Sequence, residues 1–328
     1  MASGTTVRDI NRDIIRNCMK GQDAVSKSEL ATLSGLSFPT VGRTLDLLCR
    51  EGEVEQIGTG DSSGGRRAAL YRLNPLFSVS LMLCVERGQI VWRAGDLEGR
   101  TVLEGEEEAS GRLMERMGEI GEEIRRRYPQ LKAVVIGAAG MVSGGRIRSV
   151  GDEELGSGNV EAYFTDLFGV PVKAVNDMNA AAVGRWNRLG KKEGSCVCIY
   201  LGKNGIGAGC ILDGRIWRGA NDFAGELGFL PDMPEGLWPL DIGKRIPDSS
   251  VILDIYRRII QIYAAVLNPE HIVLYENPYL DAGMEILLGE CEKAIPEYSR
   301  PHLELSGDFR LDYEQGLTEI ACRMMEEM

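Results

Sequence analysis

Histidine is scarce in this chain, and its cysteines show no regular spacing. Only two His, His271 and His302, occur in 328 residues, and the eight Cys form no CxxC pair. Such usage argues against a zinc site or a disulfide framework and favours reduced core thiols in a cytoplasmic protein. We therefore expect no bound metal.

Long apolar runs and targeting signals are also missing. The most apolar late segment, VILDIYRRIIQIYAAVL, is interrupted by Asp254, Arg257 and Arg258, which predicts a buried amphipathic helix and no membrane span. The opening MASGTTVRDINRD has acidic residues and no apolar core, unlike a secretory signal. We expect a cytoplasmic protein without membrane contact.

Positive charge is in deficit over the whole chain but not over its first part. A net charge of -12, taken alone, argues against nucleic-acid binding. Residues 1–75, however, hold ten Lys and Arg against nine acidic residues. Their basic side chains are numerous enough to gather on one face. Chain length and an apolar content of 44% allow two or three domains with real cores.

Three helical patterns follow one another in residues 1–75. VRDINRDIIRNCMKG places Ile10, Ile14 and Cys18 on one stripe, which predicts the buried face of a first helix. VSKSELATLSG has Ser26 and Glu29 at capping-box spacing. Its inward positions are Leu30 and Leu33, and Gly35 ends it.

The third pattern, SFPTVGRTLDLLCREG, begins with a cap at Ser37 and has Pro39 in its first turn. Val41, Leu45 and Leu48 form its buried stripe. A short helix, a Gly-containing turn and a longer helix make a helix-turn-helix, in which the start of the second helix contacts DNA bases. The candidate contact residues of this helix are Ser37, Phe38, Thr40 and Arg43.

The next segment, EVEQIGTGDSSGGRRAALYRLN, predicts two strands around a Gly- and Ser-rich turn, which is a wing. Gly65, Arg66 and Arg67 bring a flexible backbone and two guanidinium groups together, suited to phosphate or a narrow minor groove. We predict a winged helix that binds DNA. The alternative is a small packed domain that contacts another protein.

Several segments together resemble the ROK family (repressor, open reading frame, kinase), in its transcription-regulator branch. The resemblance covers nearly the whole chain. The segments that carry it are SKSELATLSGLSFPTVGRTLDLLCREGEVEQIG, VVIGAAGMVSGGRI, GVPVKAVNDMNAAAVG, GIGAGCILDGRIWRGANDFAGELGFLP and LNPEHIVLYENPYLDAG.

The resemblance implies an α/β fold: an N-terminal winged helix-turn-helix and a two-lobed, actin-like (ribonuclease-H-like) body of the sugar-kinase type. We expect the winged helix at 1–75, the first lobe at 76–178 and the second at 179–328, with the final helix returning to the first lobe. Strands predicted near 79–85, 89–95, 132–137, 172–175, 196–201, 207–213 and 271–275 alternate with helices near 111–127, 160–168, 178–188 and 251–267, as a mixed sheet requires.

The same resemblance implies that three nucleotide-binding elements are altered. The family's phosphate hairpin carries Asp-x-Gly-x-Thr, where this chain has Cys84, Glu86 and Gly88. Its second phosphate turn, Gly-Thr-Gly, is 203–205 (Lys-Asn-Gly) here, and its adenosine-side glycines are replaced by YENPY at 275–279. We expect no ATP site and no kinase activity, because phosphoryl transfer needs the phosphates and their metal held in place.

On the sugar side, Asn176, Asp177 and Glu226 match family positions that bind sugar hydroxyls. Asp177 stands where the kinases have their general base, and Phe229 stands where they have a zinc-binding His. No Cys occurs in LPDMPEGLWPLDIGKRIP, which replaces the zinc loop, so we expect no zinc. Asn176 and Asp177 have a second interpretation, as helix caps.

The sequence as a whole predicts a regulator of the repressor type that binds a double-stranded DNA operator as a homodimer or homotetramer. Its body would bind a small effector, a sugar or sugar phosphate, and carry the dimer contacts. Two rivals stay open: an active sugar kinase with a DNA-binding appendage, and a regulator that has lost its small ligand.

Overall fold

The computed structural model describes residues 7–59, 68–148, 153–202, 205–233 and 248–327. The chain forms two compact units. The first comprises Met1–Val79 with Asp96–Arg100, and the second comprises Ser80–Gly95 with Thr101–Met328. We call them the N-terminal unit and the body.

Three helices and a small sheet build the N-terminal unit. They are α1 (Val7–Met19), β1 (Val25–Ser26), α2 (Lys27–Ser34), α3 (Phe38–Glu51), β2 (Val54–Thr59) and β3 (Ala69–Leu73). The strands pair antiparallel in the order β1-β3-β2. All three helices and the sheet contribute to one apolar core, which includes Ile15, Met19, Leu30, Val41, Leu45, Leu48, Val54 and Tyr71.

The predicted helix ends are confirmed. The Ser26 hydroxyl accepts the Glu29 backbone N–H, and the Glu29 carboxylate accepts the Ser26 N–H, which completes a capping box at α2. Ser37 caps α3 by accepting the N–H of Thr40. Gly35 ends α2 with a left-handed φ of 67°. Local capping chemistry therefore fixes the boundaries of both helices.

Two predicted inward positions are wrong. Ile10 is 46% exposed and Leu33 is 57% exposed. Helix α1 instead buries Ile15 and Met19, so its inward face is rotated from the predicted stripe. In the eight-residue α2, Leu30 is the buried side chain.

The rotation of α1 follows from a buried acid. Glu53 is 1% exposed and accepts hydrogen bonds from Arg16 and Arg12 of α1, with Arg16 Nη2 at 2.9 Å. A buried carboxylate is costly without such partners, so the face that carries both arginines must turn inward.

Two five-stranded sheets form the centre of the body. The first has the order β10-β7-β4-β5-β6, and the second has the order β13-β12-β11-β14-β15. The first-sheet strands are β4 (Val79–Glu86), β5 (Gln89–Gly95), β6 (Thr101–Glu108), β7 (Leu131–Ala138) and β10 (Val172–Asn176). The second-sheet strands are β11 (Cys196–Gly202), β12 (Gly205–Leu212), β13 (Arg215–Trp217), β14 (His271–Tyr275) and β15 (His302–Ser306). A separate ribbon pairs β8 (Met141–Ser143) with β9 (Arg146–Arg148).

The two sheets are built in the same way. Each begins with three consecutive antiparallel strands and ends with a parallel pair that includes its last strand. The helices of the body are α4 (Leu113–Arg127), α5 (Val160–Phe168), α6 (Asp177–Arg188), α7 (Ser249–Val266), α8 (Pro278–Ala294) and α9 (Phe309–Glu326). Helices α6 and α9 each follow the last strand of one sheet, so they are equivalent elements of a repeated plan.

Helices α6 and α9 pack on each other and touch both sheets. A methyl group at Gly184 would lie 1.9 Å from the carbonyl oxygen of Asp312, and one at Gly316 would lie 1.8 Å from that of Ala180. The backbones are therefore in direct contact at this crossing, where only glycine fits.

Most of the predicted body elements are present within a few residues of their expected bounds. The sequence reading gave no bounds for β6, β8, β9, β13, α8 and β15. The body is thus an α/β fold with mixed sheets. Among the described residues, no helix is long and apolar enough to cross a membrane.

Candidate functional site

A cavity of about 710 Å³ opens within the body, lined by residues of both sheets and of helices α6 and α9. Its size falls in the range typical of small-molecule sites. Of the lining residues that the structure describes, the charged ones are Glu86, Glu106, Arg148, Asp177, Glu226, Arg310 and Glu314. The acidic side chains outnumber the basic ones by five to two.

Asp177 is the first residue of α6 and lies in this cavity. Its Oδ1 accepts the Met178 N–H at 2.8 Å and the Asn176 side-chain amide at 3.0 Å. Burial, reinforced by the nearby charges of Glu86 and Glu226, raises the pKa of Asp177 to about 7. A carboxyl group poised near neutral pH is able both to donate and to accept hydrogen bonds.

Asn176 serves the fold more directly than the cavity. Its Oδ1 accepts the Asn179 N–H at 2.9 Å as the cap of α6. Its amide nitrogen donates to the Gly140 carbonyl at 2.9 Å and to Asp177. Both amide hydrogens are thereby used, so Asn176 orients Asp177. The capping interpretation holds for Asn176, while Asp177 faces the cavity.

Glu226 reaches the same cavity from a segment that lies on β12. Gly225, with φ of 94°, is held by a hydrogen bond of 2.8 Å from the Ala208 N–H to its carbonyl. A side chain at Gly225 would collide with the Ala208 carbonyl at 2.0 Å. Burial raises the pKa of Glu226. Phe229 follows it, 40% exposed, with its ring 5.2 Å from that of Phe223.

The hairpin between β4 and β5 brings Cys84 and Glu86 to the cavity. Its two-residue turn, Arg87-Gly88, has φ of 50° and 81°, as in the tight turn of a two-residue hairpin. Burial raises the pKa of the Cys84 thiol to about 12. At neutral pH this thiol is uncharged, so it is a poor substitute for a carboxylate that would hold magnesium.

Segment 275–279 is held by hydrogen bonds and packing within the body. The Asn277 side chain accepts the N–H groups of Tyr279 and Leu280 at the start of α8 and donates to the Tyr256 hydroxyl at 2.9 Å. Pro278 occupies the first turn of α8. Positions 203 and 204 of the second predicted phosphate turn lie outside the described residues.

No group of three or more His, Cys, Asp or Glu side chains is placed to hold a metal ion within the described part of the chain. Phe229, at the expected His position, has no ligating atom. The residues present near Glu226 therefore do not fit the family's zinc site. Positions 234–247, which replace the zinc loop, are outside the described residues.

The start of α3 is the candidate nucleic-acid interface of the N-terminal unit. Ser37, Phe38 and Arg43 are exposed, Phe38 by 57%, and Thr40 is partly exposed. Within the described residues no partner holds the Arg43 side chain, whereas Lys27 is paired with Asp46 at 3.3 Å. Gly65, Arg66 and Arg67, the predicted wing residues, lie outside the described residues.

The sequence reading missed the contribution of β11 and α9 to the cavity. Tyr200, Phe309, Arg310, Tyr313 and Glu314 all line it. The rings of Tyr200 and Phe309 stack with centroids 4.2 Å apart. A sign in the sequence was the spacing of Arg310 and Glu314 at i,i+4, which pairs them at 2.9 Å on one face of α9.

Comparison with known proteins finds one family domain within the chain. The ROK family model matches residues 94–238. This chain contains a ROK-family domain. Xylose repressors of Bacillus spizizenii and Bacillus subtilis are 27% and 26% identical to it over 240 residues, which is 70% of this chain. The chain spans about 62% of the length of these curated relatives.

Solved structures show the same fold. A ROK-family transcriptional regulator, a homologue of the E. coli MLC protein, matches 97% of this chain and 98% of its own, with a TM-score of 0.66 and 16% identity. The ROK hexokinase of Thermus thermophilus matches 76% of this chain and all of its own, with a TM-score of 0.60 and 20% identity. At these identities the likeness concerns the fold, which regulators and kinases of the family share.

Proposed function

We propose that this protein is a DNA-binding transcriptional regulator of the repressor type, whose ROK body senses a small molecule. The main support is that one chain contains two parts. The N-terminal unit exposes the start of helix α3, and the ROK body has Cys84 and Glu86 at the phosphate hairpin. The repressor names of the relatives support it.

In this proposal the N-terminal unit is a winged helix-turn-helix. Helices α2 and α3 with the turn at Gly35 form the helix-turn-helix, and β2 and β3 form the strands of the wing. Ser37, Phe38, Thr40 and Arg43 face the operator at the start of α3, where recognition helices contact base edges. Gly65, Arg66 and Arg67 contact the DNA backbone or the minor groove.

The body acts as the sensor. Its cavity binds a sugar-like effector at Asp177 and Glu226, with Asn176 holding Asp177 in place. An effector that binds two states of the protein unequally changes operator affinity by the same coupling free energy, typically about 1–3 kcal/mol. The active form is a homodimer or homotetramer in the cytoplasm, since helix-turn-helix modules commonly read paired half-sites.

We propose that the body is not a kinase and binds neither ATP nor zinc. Three features oppose nucleotide binding: the neutral Cys84 thiol, the Glu86 carboxylate at the phosphate hairpin, and the Asn277 side chain, which is hydrogen-bonded to Tyr256. Phe229 opposes zinc, as it has no ligating atom.

The deciding experiment is selection of genomic fragments on the full chain at physiological salt, with and without a pooled panel of sugars and sugar phosphates. We expect enrichment of a palindromic site whose recovery changes with the panel. No enrichment in either condition would overturn the proposal. Enrichment that the panel never alters would favour a regulator that has lost its small ligand.

One observation favours a second candidate, an active sugar kinase. Asp177 lies in the cavity at the family's base position with its pKa raised to about 7, which suits a general base. A coupled assay for ADP release over hexoses and N-acetylhexosamines separates the two. ADP release that Asp177→Asn abolishes would establish the kinase, and no release would leave the regulator.

A further inference from the structure

Three carboxylates from three different parts of the body converge on the cavity. Glu86 ends β4, Asp177 begins α6, and Glu226 lies on the segment packed against β12. They are close enough to interact electrostatically: the charges of Glu86 and Glu226 both raise the pKa of Asp177. Glu86 also raises the pKa of Tyr200, after burial. The carboxylate of Glu86 therefore acts on the interior of the cavity.

The described lining holds two basic side chains against five acidic ones, and one of the two is paired within the lining. Arg310 donates to Glu314 at 2.9 Å, and Glu314 also accepts from Arg93 at 2.7 Å. This pairing leaves Arg148 as the other basic residue of the described lining. A phosphate group carries about -1.5 to -2 charges at neutral pH. Beside Glu86 and Asp177 it would meet repulsion in a partly desolvated site.

An uncharged polyol meets none of this repulsion. Its hydroxyl groups donate hydrogen bonds to carboxylates, and such charge-assisted bonds are the stronger kind. The buried hydroxyl of Tyr313 also lines the cavity, next to the Cys84 thiol. Phe229, 40% exposed, offers an apolar surface to the C–H face of a sugar.

We infer that Glu86 is a specificity residue of the cavity: with Asp177 and Glu226 it makes the site bind an uncharged, hydroxyl-rich ligand and exclude the phosphorylated form of that ligand. The inference rests on the proposed sensor function and narrows its ligand from sugar or sugar phosphate to the neutral sugar. It assigns a role to the residue that replaces a phosphate-binding glycine.

Calorimetric titration of the full chain with matched pairs tests this. The probes are glucose and glucose 6-phosphate, mannose and mannose 6-phosphate, the neutral sugars xylose and sucrose, and inorganic phosphate. In the wild type we expect binding of at least one neutral sugar, and affinity for its phosphate at least about tenfold weaker, or about 1.4 kcal/mol. Glu86→Gln should reduce the ratio of the affinity for the neutral sugar to the affinity for its phosphate severalfold. The reduction should be larger at low salt, because the substitution removes the repulsion between the carboxylate and the phosphate and leaves the side-chain shape unchanged.

Glu122→Gln is the matched control. It removes one negative charge from the exposed face of α4, where Glu122 pairs with Arg125 and lines no part of the cavity. It should leave the ratio unchanged. Circular dichroism of both variants at the titration temperature checks that they are folded.

Three results would overturn the inference. They are tighter wild-type binding of the phosphorylated member, an unchanged ratio in folded Glu86→Gln, and no binding of any neutral member. Operator selection on the same preparations keeps the two proposals apart. If no neutral sugar binds but operator binding is intact, the inference about Glu86 is wrong and the proposal of a regulator is retained. If neutral sugars bind but operator selection fails, the assignment of the cavity is retained and the proposal of a regulator is wrong.

Discussion

The surroundings of Asp177 determine its role. An Asp after a strand and before a helix is equally suited to capping and to catalysis from the sequence alone. In the structure Asn176 caps helix α6, and the Asp177 carboxyl lies in the cavity, where the charges of Glu86 and Glu226 act on it. Its electrostatic state depends on Glu86 and Glu226, which lie 91 and 49 positions away in sequence.

Replacing Asp177 should therefore change how stability depends on pH. A folded-state pKa of about 7, above the ordinary aspartate pKa of 3.8, means that the folded chain holds this proton more tightly than the unfolded one. Its contribution to stability is greatest below pH 4 and is lost as pH rises to about 7. We expect Asp177→Asn to gain about 1–3 kcal/mol over the wild type between pH 4 and pH 8, less than the full shift because the residue is partly exposed.

Urea unfolding of both proteins at several pH values measures this. Asp166→Asn, an exposed acid of α5, is the control. An equal difference between Asp177→Asn and the wild type at every pH would show that the carboxyl is not perturbed by the fold.

At the scale of elements, the contact between α6 and α9 determines how the two sheets are joined. Gly184 and Gly316 allow each backbone to lie against the other helix, and side-chain pairs reinforce the contact. Arg188 donates to the buried Asp312 at 2.7 Å, and the Tyr275 hydroxyl donates to the same carboxylate at 2.9 Å. Because α6 also presents Asp177, this crossing positions the cavity.

Alanine at either crossing glycine should destabilise the body. Gly184→Ala and Gly316→Ala would each force the helices apart, and we expect a loss of about 1–3 kcal/mol, as for overpacked cores. Gly289→Ala in α8 is the matched control, since a methyl group there meets nothing within 4 Å. It should stabilise by about 0.5–1 kcal/mol through helix propensity. Thermal unfolding measures all three, and a stable Gly184→Ala would disprove the close contact.

At the scale of the whole molecule, charge is divided unevenly between the two parts. The chain as a whole carries a net charge of -12, yet residues 1–75 are close to neutral. In the N-terminal unit, acids neutralise Arg12, Arg16, Lys27 and Arg72 by ion pairs. Among the residues that the structure describes, no acid pairs with the Arg43 side chain, which is exposed on α3.

DNA binding should separate the two groups of predicted contacts. Arg66→Ala and Arg67→Ala are expected to weaken binding to all sequences and to lower its salt dependence by about one counterion each. Arg43→Ala and Thr40→Ala are expected to change sequence preference, by about 1–3 kcal/mol per lost base contact.

Fluorescence anisotropy titrations over a salt series, on operator and random DNA, measure both effects. Arg125→Ala on α4 of the body is the control. An unchanged salt slope in both wing variants would remove the wing from the interface.

The sequence by itself determined the helix starts at Ser26 and Ser37, most strands of the body, and the chemical identity of the residues at the altered phosphate hairpin. Caps and apolar alternation act over a few residues, so their signals are local. The inward face of α1, the place of α9 in the cavity and the convergence of Glu86, Asp177 and Glu226 depended on the tertiary structure. Each is set by contacts between residues far apart in sequence: a buried carboxylate that needs arginine partners, two helices that meet through glycine, and acids whose repulsion exists only once the sheets bring them together.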